Sequence, residues 1–198
     1  MPITINGSGT VTGISVGGLP DGIVDKGTLA GGSSGPLLNC KSTLYTSSAD
    51  ISASSGNWQA GPFSVTITPA SASSKILILC HVTGGVGSGD NNEGPVFQIQ
   101  RSINGAAFAA SDGIGDAYGS TSRGTTGGLW DMISDVHTPT FSVQFIDSPN
   151  TTSAVEYKPY FHVHNGPLKI NRVDSSRDGT AEAITGTSSI TAIEVATS

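Results

Sequence analysis

The sequence predicts an all-β protein in which an extended N-terminal arm precedes a jelly-roll-like β-sandwich head. Glycine occurs 27 times in 198 residues, and serine and threonine are frequent throughout, a composition that favours short strands and tight turns. Short runs rich in β-branched and aromatic residues alternate with turn-forming clusters, as in sandwich proteins. No segment shows the sustained 3.6-residue apolar period that an amphipathic helix requires.

The predicted arm covers residues 1–39, and the predicted sandwich covers residues 40–198. Residues 1–36 contain no aromatic side chain, and turns such as Pro20-Asp21-Gly22 interrupt them. The large apolar side chains are too few to build a core alone, so we expect the arm to find its folding partner in other copies or in another protein. The residues expected to make these contacts are Ile3, Ile5, Val11, Ile14, Val16 and Leu19.

Strands are predicted in order along the head. Strands are predicted at Phe63–Pro69 and Pro95–Ile103. Within them apolar and polar side chains alternate over Phe63–Ile67 and Val96–Ile103, which predicts one buried face and one solvated face for each strand. Lys75–Val82 is apolar on both faces, which indicates a central strand or one facing another subunit. Further strands are predicted at Thr140–Asp147, Val155–His164 and Ser188–Ala196, and weaker ones at 42–51, 106–110, 129–136 and 167–171.

Charge and cysteine content exclude several classes of protein. The net charge is −6 and the nine basic residues are scattered, whereas a nucleic-acid surface needs clustered Lys and Arg. No hydrophobic run approaches the roughly 18 residues that span a bilayer, and no secretory leader is evident. Cys40 and Cys80 do not make a disulfide framework, and Cys80 is expected to be buried and reduced.

Two arginines of the predicted strands are expected to form ion pairs. We predict that Arg101 and Arg172 pair across strands with acidic side chains. The candidate partners are Asp147, Asp174 and Glu194.

Six stretches of the predicted head carry a family resemblance. They are SSKILIL, FQIQRSINGAA, GDAYGSTSR, FIDSPNTTSAVEYK, INRVDSS and SSITAIEVA. These stretches resemble the tip domains of tail-fibre proteins from tailed bacteriophages of the cyanophage and marine type. The opening ITINGSGTVTGISVGGLPDGIVDKGTLA is similar to the leader of such proteins. The resemblance implies a homotrimeric virion protein, assembled in the host cytoplasm, whose arm attaches to the tail or baseplate. The head would contact a host-surface glycan or protein. The near absence of a shaft departs from the family pattern and leaves a head-proximal decoration open.

Two loops contain candidate receptor-binding residues. Residues 87–94 (GSGDNNEG) cluster Asp90, Asn91 and Asn92, for which a calcium site is the alternative interpretation. Residues 115–131 are glycine-rich and offer aromatic rings and a guanidinium to a sugar; Trp130 and Trp58 could instead be core residues. The candidates in this second loop are Tyr118, Arg123 and Trp130.

No enzyme, cofactor or metal is predicted. Nucleophile elbows, phosphate loops and metalloprotease motifs are missing from the sequence. His162 and His164 lie two apart on a predicted strand, and on a trimer axis they could form a metal site, the weaker interpretation of that pair. A glycan-cleaving tailspike would need a carboxylate pair, for which Asp112, Asp116, Asp131 and Asp135 are available. The main alternative is a virion structural protein that binds no receptor, such as a capsid decoration or baseplate plug.

Overall fold

The computed structural model describes residues 37–52, 57–86, 96–127, 138–163, 167–173 and 184–196. The chain divides into two units, Met1–Gly35 and Pro36–Ser198, and all described residues belong to the second. These residues form two antiparallel sheets and no helix, as the sequence predicts. The strands are β1 (Leu37–Tyr45), β2 (Ala49–Ile51), β3 (Trp58–Ala60), β4 (Val65–Ile67), β5 (Lys75–Val86), β6 (Val96–Ile103), β7 (Ala109–Ala110), β8 (Thr140–Asp147), β9 (Val155–His162), β10 (Leu168–Ile170) and β11 (Ser188–Val195).

Sheet I is organised around β5. One edge of β5 pairs first with β11 and then with β10, while β8 occupies the opposite edge. Outside these, β1 pairs with β11 and β2 pairs with β10. The central position predicted for the strand beginning at Lys75 is therefore confirmed, because β5 has neighbours on both edges.

Sheet II is organised around β9. One edge of β9 pairs with β3 and β4, and the other edge pairs with β6 along its whole length. Beyond β6 lies the short strand β7. Thr125 and Thr126 extend that outer edge, because their backbone N–H groups donate to the Phe97 carbonyl at 2.9 and 3.0 Å. Strand β3 was not predicted, since three residues are too short to show an alternation.

The core lies between the two sheets and is filled by every second residue of the main strands. On β5 the buried residues are Ile76, Ile78, Cys80 and Val82. Opposite them, β6 and β9 contribute aromatic rings, and Phe97 and Phe161 are 5.8 Å apart between centroids. Full burial of each such side chain stabilises the fold by roughly 1.5–3 kcal/mol. The predicted burial of Cys80 is confirmed, and its pKa is raised by desolvation; Cys40 is exposed.

One cluster of polar and charged side chains connects the two sheets through the core. Asp147 on β8 is fully buried and accepts a hydrogen bond from Arg101 Nη1 on β6 at 2.5 Å and another from Tyr157 Oη on β9 at 2.7 Å. The Asp112 backbone N–H donates to the same carboxylate at 2.8 Å. Desolvation lowers the pKa of Arg101, but its hydrogen bond and charge interaction with Asp147 outweigh this and raise the net pKa. Asp147 therefore joins sheet I to sheet II.

A second polar centre is the corner after β10, which Asn171 occupies with a left-handed φ of 61°. Its Nδ2 donates to the carbonyls of Tyr45 and Ser47 at 2.8 and 2.9 Å. Its Oδ1 accepts from Ser188 Oγ at 2.7 Å, and its N–H donates to the Thr83 carbonyl at 2.8 Å. Asparagine tolerates this conformation better than most residues, and here it holds four segments of sheet I together.

The ion pairs confirm one sequence prediction and correct another. Arg101 pairs with Asp147 across strands, as predicted. Arg172 pairs instead with Asp50 at 2.7 Å, a partner that the sequence analysis did not consider. Glu194 accepts the backbone N–H of Ala70 at 2.6 Å rather than an arginine, and Asp174 lies outside the described residues. The corner at Asn171 places Arg172 beside β2, and this placement depends on strand pairing.

Candidate functional site

The predicted receptor loop is described only in part. Tyr118 is 84% exposed, at a turn in which the Thr121 N–H donates to its carbonyl at 3.1 Å. Arg123 Nε donates to the Gly115 carbonyl at 2.5 Å, so the guanidinium is held against the base of the loop. The structure brings Tyr118 and Arg123 into one loop.

Apart from His162, the remaining predicted site residues lie outside the described residues, and the roles predicted for them stay predictions. For the metal interpretation only His162 is described; it lies on the outer face of β9 against an aromatic ring. Among the described residues no group of three or more metal-ligating side chains occurs. The predicted residues outside the described ranges are Asp90, Asn91, Asn92, Trp130, His164, Ile3, Ile5, Val11, Ile14, Val16 and Leu19.

The outer face of sheet II contains an aromatic surface that the sequence analysis missed. We call it the aromatic shelf and define it as Trp58, Phe108, Lys158, Tyr160 and His162. All five side chains are partly buried, so they are neither core residues nor free in solvent. Three come from alternate positions of β9, one from β3 and one from the turn that leads into β7.

Contacts between neighbouring side chains fix the geometry of the shelf. Trp58 meets the His162 ring edge-on with centroids 5.3 Å apart, and Phe108 lies 5.4 Å from Tyr160. Lys158 Nζ lies 5.0 Å from the centre of the Phe108 ring, within the range of a cation–π interaction. Partial burial, and then the charge of Glu156, raise the pKa of Tyr160. Its hydroxyl therefore stays protonated at neutral pH.

The outer face of sheet I has a different chemistry. Where β1, β11, β5 and β8 lie side by side, the strand register places the outward side chains in three rows, which together we call face I. None of the side chains in these rows is that of Asp, Glu, Lys or Arg. The rows are Leu44, Ser189, His81 and Ser142; Ser42, Thr191, Leu79 and Gln144; and Cys40, Ile193, Leu77 and Ile146. Beyond these rows the same outer face carries Lys75 and the Asp50–Lys169 ion pair.

Large apolar side chains of face I are exposed around a shallow hollow. Leu44 is 62% exposed and Ile146 is 56% exposed. The hollow has a volume of about 380 Å³ and is lined by residues of β5, β8 and β11, Leu79 among them. Its hydroxyl groups are partly paired, since Ser42 Oγ lies 2.8 Å from Thr191 Oγ1.

One pair on face I resembles the start of a catalytic arrangement. Ser189 Oγ lies 3.0 Å from His81 Nδ1, within reach for proton transfer. A working nucleophile also needs a third group that orients the histidine and donors that stabilise an oxyanion. Within the described ranges no carboxylate is hydrogen-bonded to His81. The pair therefore reads as part of the polar lining of the hollow.

The candidate carboxylates for a glycan-cleaving site are separated by their structural roles. Asp112 lies 3.3 Å from Arg101, and its Oδ2 accepts the backbone N–H of Ser148 at 2.9 Å. Asp116 is exposed in the loop that carries Tyr118. Asp131 and Asp135 lie outside the described residues. The structure thus assigns Asp112 to the cluster around Asp147.

No family model matches the chain, and no curated protein matches it. No helix among the described residues is long and apolar enough to cross a membrane.

The shelf escaped sequence analysis because its members are far apart in the chain. The alternation of Lys158, Tyr160 and His162 along Val155–His164 was readable, and it could have identified these three as one face. Trp58 and Phe108 could not have been added, because strand pairing alone brings them there. The local signal was present for three of the five shelf residues.

Proposed function

We propose that this chain is a structural virion protein, a homotrimeric tail fibre of a tailed bacteriophage. In this proposal residues 1–39 attach to the tail or baseplate, and residues 40–198 form a head that contacts a host-surface receptor. The observation that carries the proposal is face I, because a patch of an outer sheet face that exposes large aliphatic side chains and carries no Asp, Glu, Lys or Arg is suited to subunit association.

The argument starts from what an outer sheet face usually contains. In a two-layer sandwich the outer faces meet solvent, and polar or charged side chains normally occupy them. On face I, Leu44, Leu79 and Ile146 are exposed instead, among hydroxyl and amide side chains. Burying them against other copies would remove apolar area from water at no cost in desolvated charge. Closed symmetry would let each copy present the same surface.

The strand arrangement supports the jelly-roll topology included in the proposal. Two strands that follow one another along the same position of a sheet count as one strand line. Each sheet then contains four strand lines: β1/β2, β11/β10, β5 and β8 in sheet I, and β3/β4, β9, β6 and β7 in sheet II. The chain alternates between the sheets from one line to the next, except for the β6–β7 hairpin. Jelly rolls combine eight strands in two sheets in this manner, and they present loops on a rigid frame.

Attachment by such a head would work through avidity. Three copies on one rigid head, multiplied over several fibres per particle, convert weak single contacts into a stable attachment. This mechanism requires no catalysis by the head. A trimer that binds no receptor would instead indicate a capsid decoration or a baseplate plug.

The first test is the native mass of the purified full chain, measured by light scattering during gel filtration. We expect three times the chain mass of 20.0 kDa. We also expect Ile146→Asp to dissociate the trimer, because it places a charge within face I. The matched control is Thr66→Asp, an exposed position on β4 in sheet II, which should leave the mass unchanged. A monomeric wild-type chain, or dissociation by both variants alike, contradicts the proposal.

The second test concerns virion attachment. A chain without residues 1–36 should keep the β-rich circular dichroism spectrum of the full chain and should be absent from purified particles. Quantification of the protein in those particles gives the answer. Incorporation of the shortened chain at the normal copy number would contradict attachment through the arm.

A further inference from the structure

We infer that the aromatic shelf on sheet II is the receptor site of the head, and that it takes a neutral oligosaccharide. This inference rests on the proposed attachment function and specifies the receptor class and the residues that bind it. It places the site away from the loop of Tyr118 and Arg123 that the sequence indicated.

The rings of the shelf suit the apolar faces of sugar rings. Trp58, Tyr160 and Phe108 are aromatic and lie partly exposed on the same outer surface. The contacts of Trp58 with His162 and of Phe108 with Tyr160 already fix their orientations. Binding a ligand would therefore cost little side-chain conformational entropy, which favours binding to a small surface. Sugar pyranose rings present flat patches of C–H groups that such rings can cover.

Polar groups stand between the rings at positions suited to hydroxyl recognition. Lys158 is paired in register with the partly exposed Gln100 on β6, whereas Gln98, the partner of Tyr160, is buried. Amide, ammonium and phenol groups together offer donors and acceptors on the same face as the rings. A site with a few such groups among apolar rings is typical of small polar ligands. A protein partner would instead favour a broader apolar core, which face I provides and the shelf lacks.

Charge distinguishes a neutral sugar from an acidic one. The single cation of the shelf, Lys158, lies 3.3 Å from the carboxylate of Glu156, and the two charges offset each other. The chain as a whole carries a net charge of −6, which repels polyanions at long range. An anionic polysaccharide would require an excess of cations at the site. The balance at the shelf therefore complements an uncharged glycan.

The shelf and face I lie on opposite outer surfaces of the sandwich, since one belongs to sheet II and the other to sheet I. Association through face I would leave the shelf of every copy open to solvent. Each trimer would then present the three separate sites that attachment by avidity requires.

The test is a binding titration of the full chain with neutral hexasaccharides of glucose, mannose, galactose and N-acetylglucosamine, with heparin as the anionic comparison. Calorimetry gives the affinity, and tryptophan fluorescence gives an independent signal because Trp58 is part of the shelf. We expect at least one neutral hexasaccharide to bind, and both Trp58→Ala and Tyr160→Ala to weaken its binding tenfold or more. Tyr118→Ala is the matched control, an aromatic truncation in the alternative site, and we expect unchanged affinity.

Conservative variants separate binding from folding. Trp58→Phe and Tyr160→Phe keep the rings and should retain most of the affinity, and Phe108→Ala replaces Trp58→Ala if that variant does not fold. The inference is overturned if Tyr118→Ala abolishes binding while the shelf variants retain it, if only heparin binds, or if no hexasaccharide binds. Trimeric mass with no sugar binding would refute the shelf and leave the proposed trimer standing. A monomer whose sugar binding depends on Trp58 would refute the trimer and support the shelf.

Discussion

The outer faces of the two sheets share one backbone geometry and differ in chemistry. Face I presents aliphatic and hydroxyl side chains without a formal charge, whereas the aromatic shelf presents rings around an offset ion pair. The inner faces are alike, since both are closed by alternate buried apolar residues. The comparison teaches that burial restricts most inward-facing side chains of each strand to apolar residues and leaves the outward-facing side chains free to differ between the sheets. Perturbations of one sheet should therefore be separable from perturbations of the other.

The largest expected effect comes from the one cluster that joins the sheets. Asp147→Asn removes the buried charge that balances partly buried Arg101, and it disrupts the hydrogen bond from Tyr157. Breaking a buried ion pair costs about 3–5 kcal/mol, so we expect the free energy of unfolding to fall by about 4 kcal/mol. The matched control is Asp112→Asn, the exposed partner of the same arginine, which should cost less than about 1 kcal/mol.

Urea denaturation measures both Asp147→Asn and its control. Since Asp147 touches both sheets, face I and the shelf should lose protection against hydrogen exchange together. Loss confined to one sheet, or equal costs for the two variants, contradicts the role given to this cluster.

The next effect is confined to sheet I. Asn171→Ala leaves the Tyr45 and Ser47 carbonyls without their side-chain donor, and it places alanine in a left-handed conformation. Both hydrogen bonds are partly buried. A buried group left unpaired costs about 1–3 kcal/mol, so together with the backbone strain we expect a loss of up to about 3 kcal/mol. Asn150→Ala is the control, because Asn150 has a φ of 52° but is exposed; it should cost about 1 kcal/mol.

Hydrogen exchange locates the effect of Asn171→Ala. Amides of β1 and β2 should exchange faster than in the wild type, while those of β9 keep their protection. If Asn150→Ala costs as much as Asn171→Ala, the buried hydrogen bonds contribute nothing beyond the backbone conformation.

A smaller effect is confined to sheet II. Phe108→Ala removes the ring contact with Tyr160 and the cation–π contact with Lys158. Such contacts are worth roughly 0.5–1.5 kcal/mol each, and we expect a net loss of about 1 kcal/mol with unchanged native mass. Tyr118→Ala should cost less than about 0.5 kcal/mol, since no ring packs against Tyr118 among the described residues. Thermal unfolding of both variants measures the two losses in stability. A larger loss for Tyr118→Ala than for Phe108→Ala contradicts the rigidity of the shelf.

The smallest effect depends on pH and returns to sheet I. Desolvation raises the pKa of Asp50, but the hydrogen bond and charge of Lys169, together with Arg172, outweigh it and hold the pKa below 3.8. A lowered folded-state pKa contributes stability above 3.8 that is lost as the pH falls through the folded value. Because Asp50 is substantially exposed, we expect Asp50→Asn to cost only about 0.5 kcal/mol at pH 7.

Urea denaturation at pH 7 and at pH 2.5 checks the Asp50 prediction. The difference between wild type and Asp50→Asn should shrink at the lower pH, because a falling pH favours protonation of the wild-type carboxylate. A difference that persists unchanged at pH 2.5 shows that the amide perturbs packing and not charge.

Much of the fold could be predicted because its signals are local. The strand at Thr140–Asp147 has the predicted bounds, and β5 is central as the apolar run from Lys75 indicated. Predictions failed where a contact joins distant segments: Arg172 meets Asp50 across 122 positions of sequence. The three-residue strand β3 was missed because its alternation is too short to detect.

The sequence by itself determined the all-β class, the faces of most long strands and the burial of Cys80, because side-chain alternation with a period of two is a property of neighbouring residues. On β6 the predicted solvated face is wrong in part, since Gln98 and Ser102 are buried. Only the tertiary structure decided the strand order, the partners of Asp147 and the union of Trp58, Phe108 and β9 in one surface. The physical reason is that pairing between strands depends on contacts between residues far apart in the chain, and no local period encodes which strand a given edge will meet.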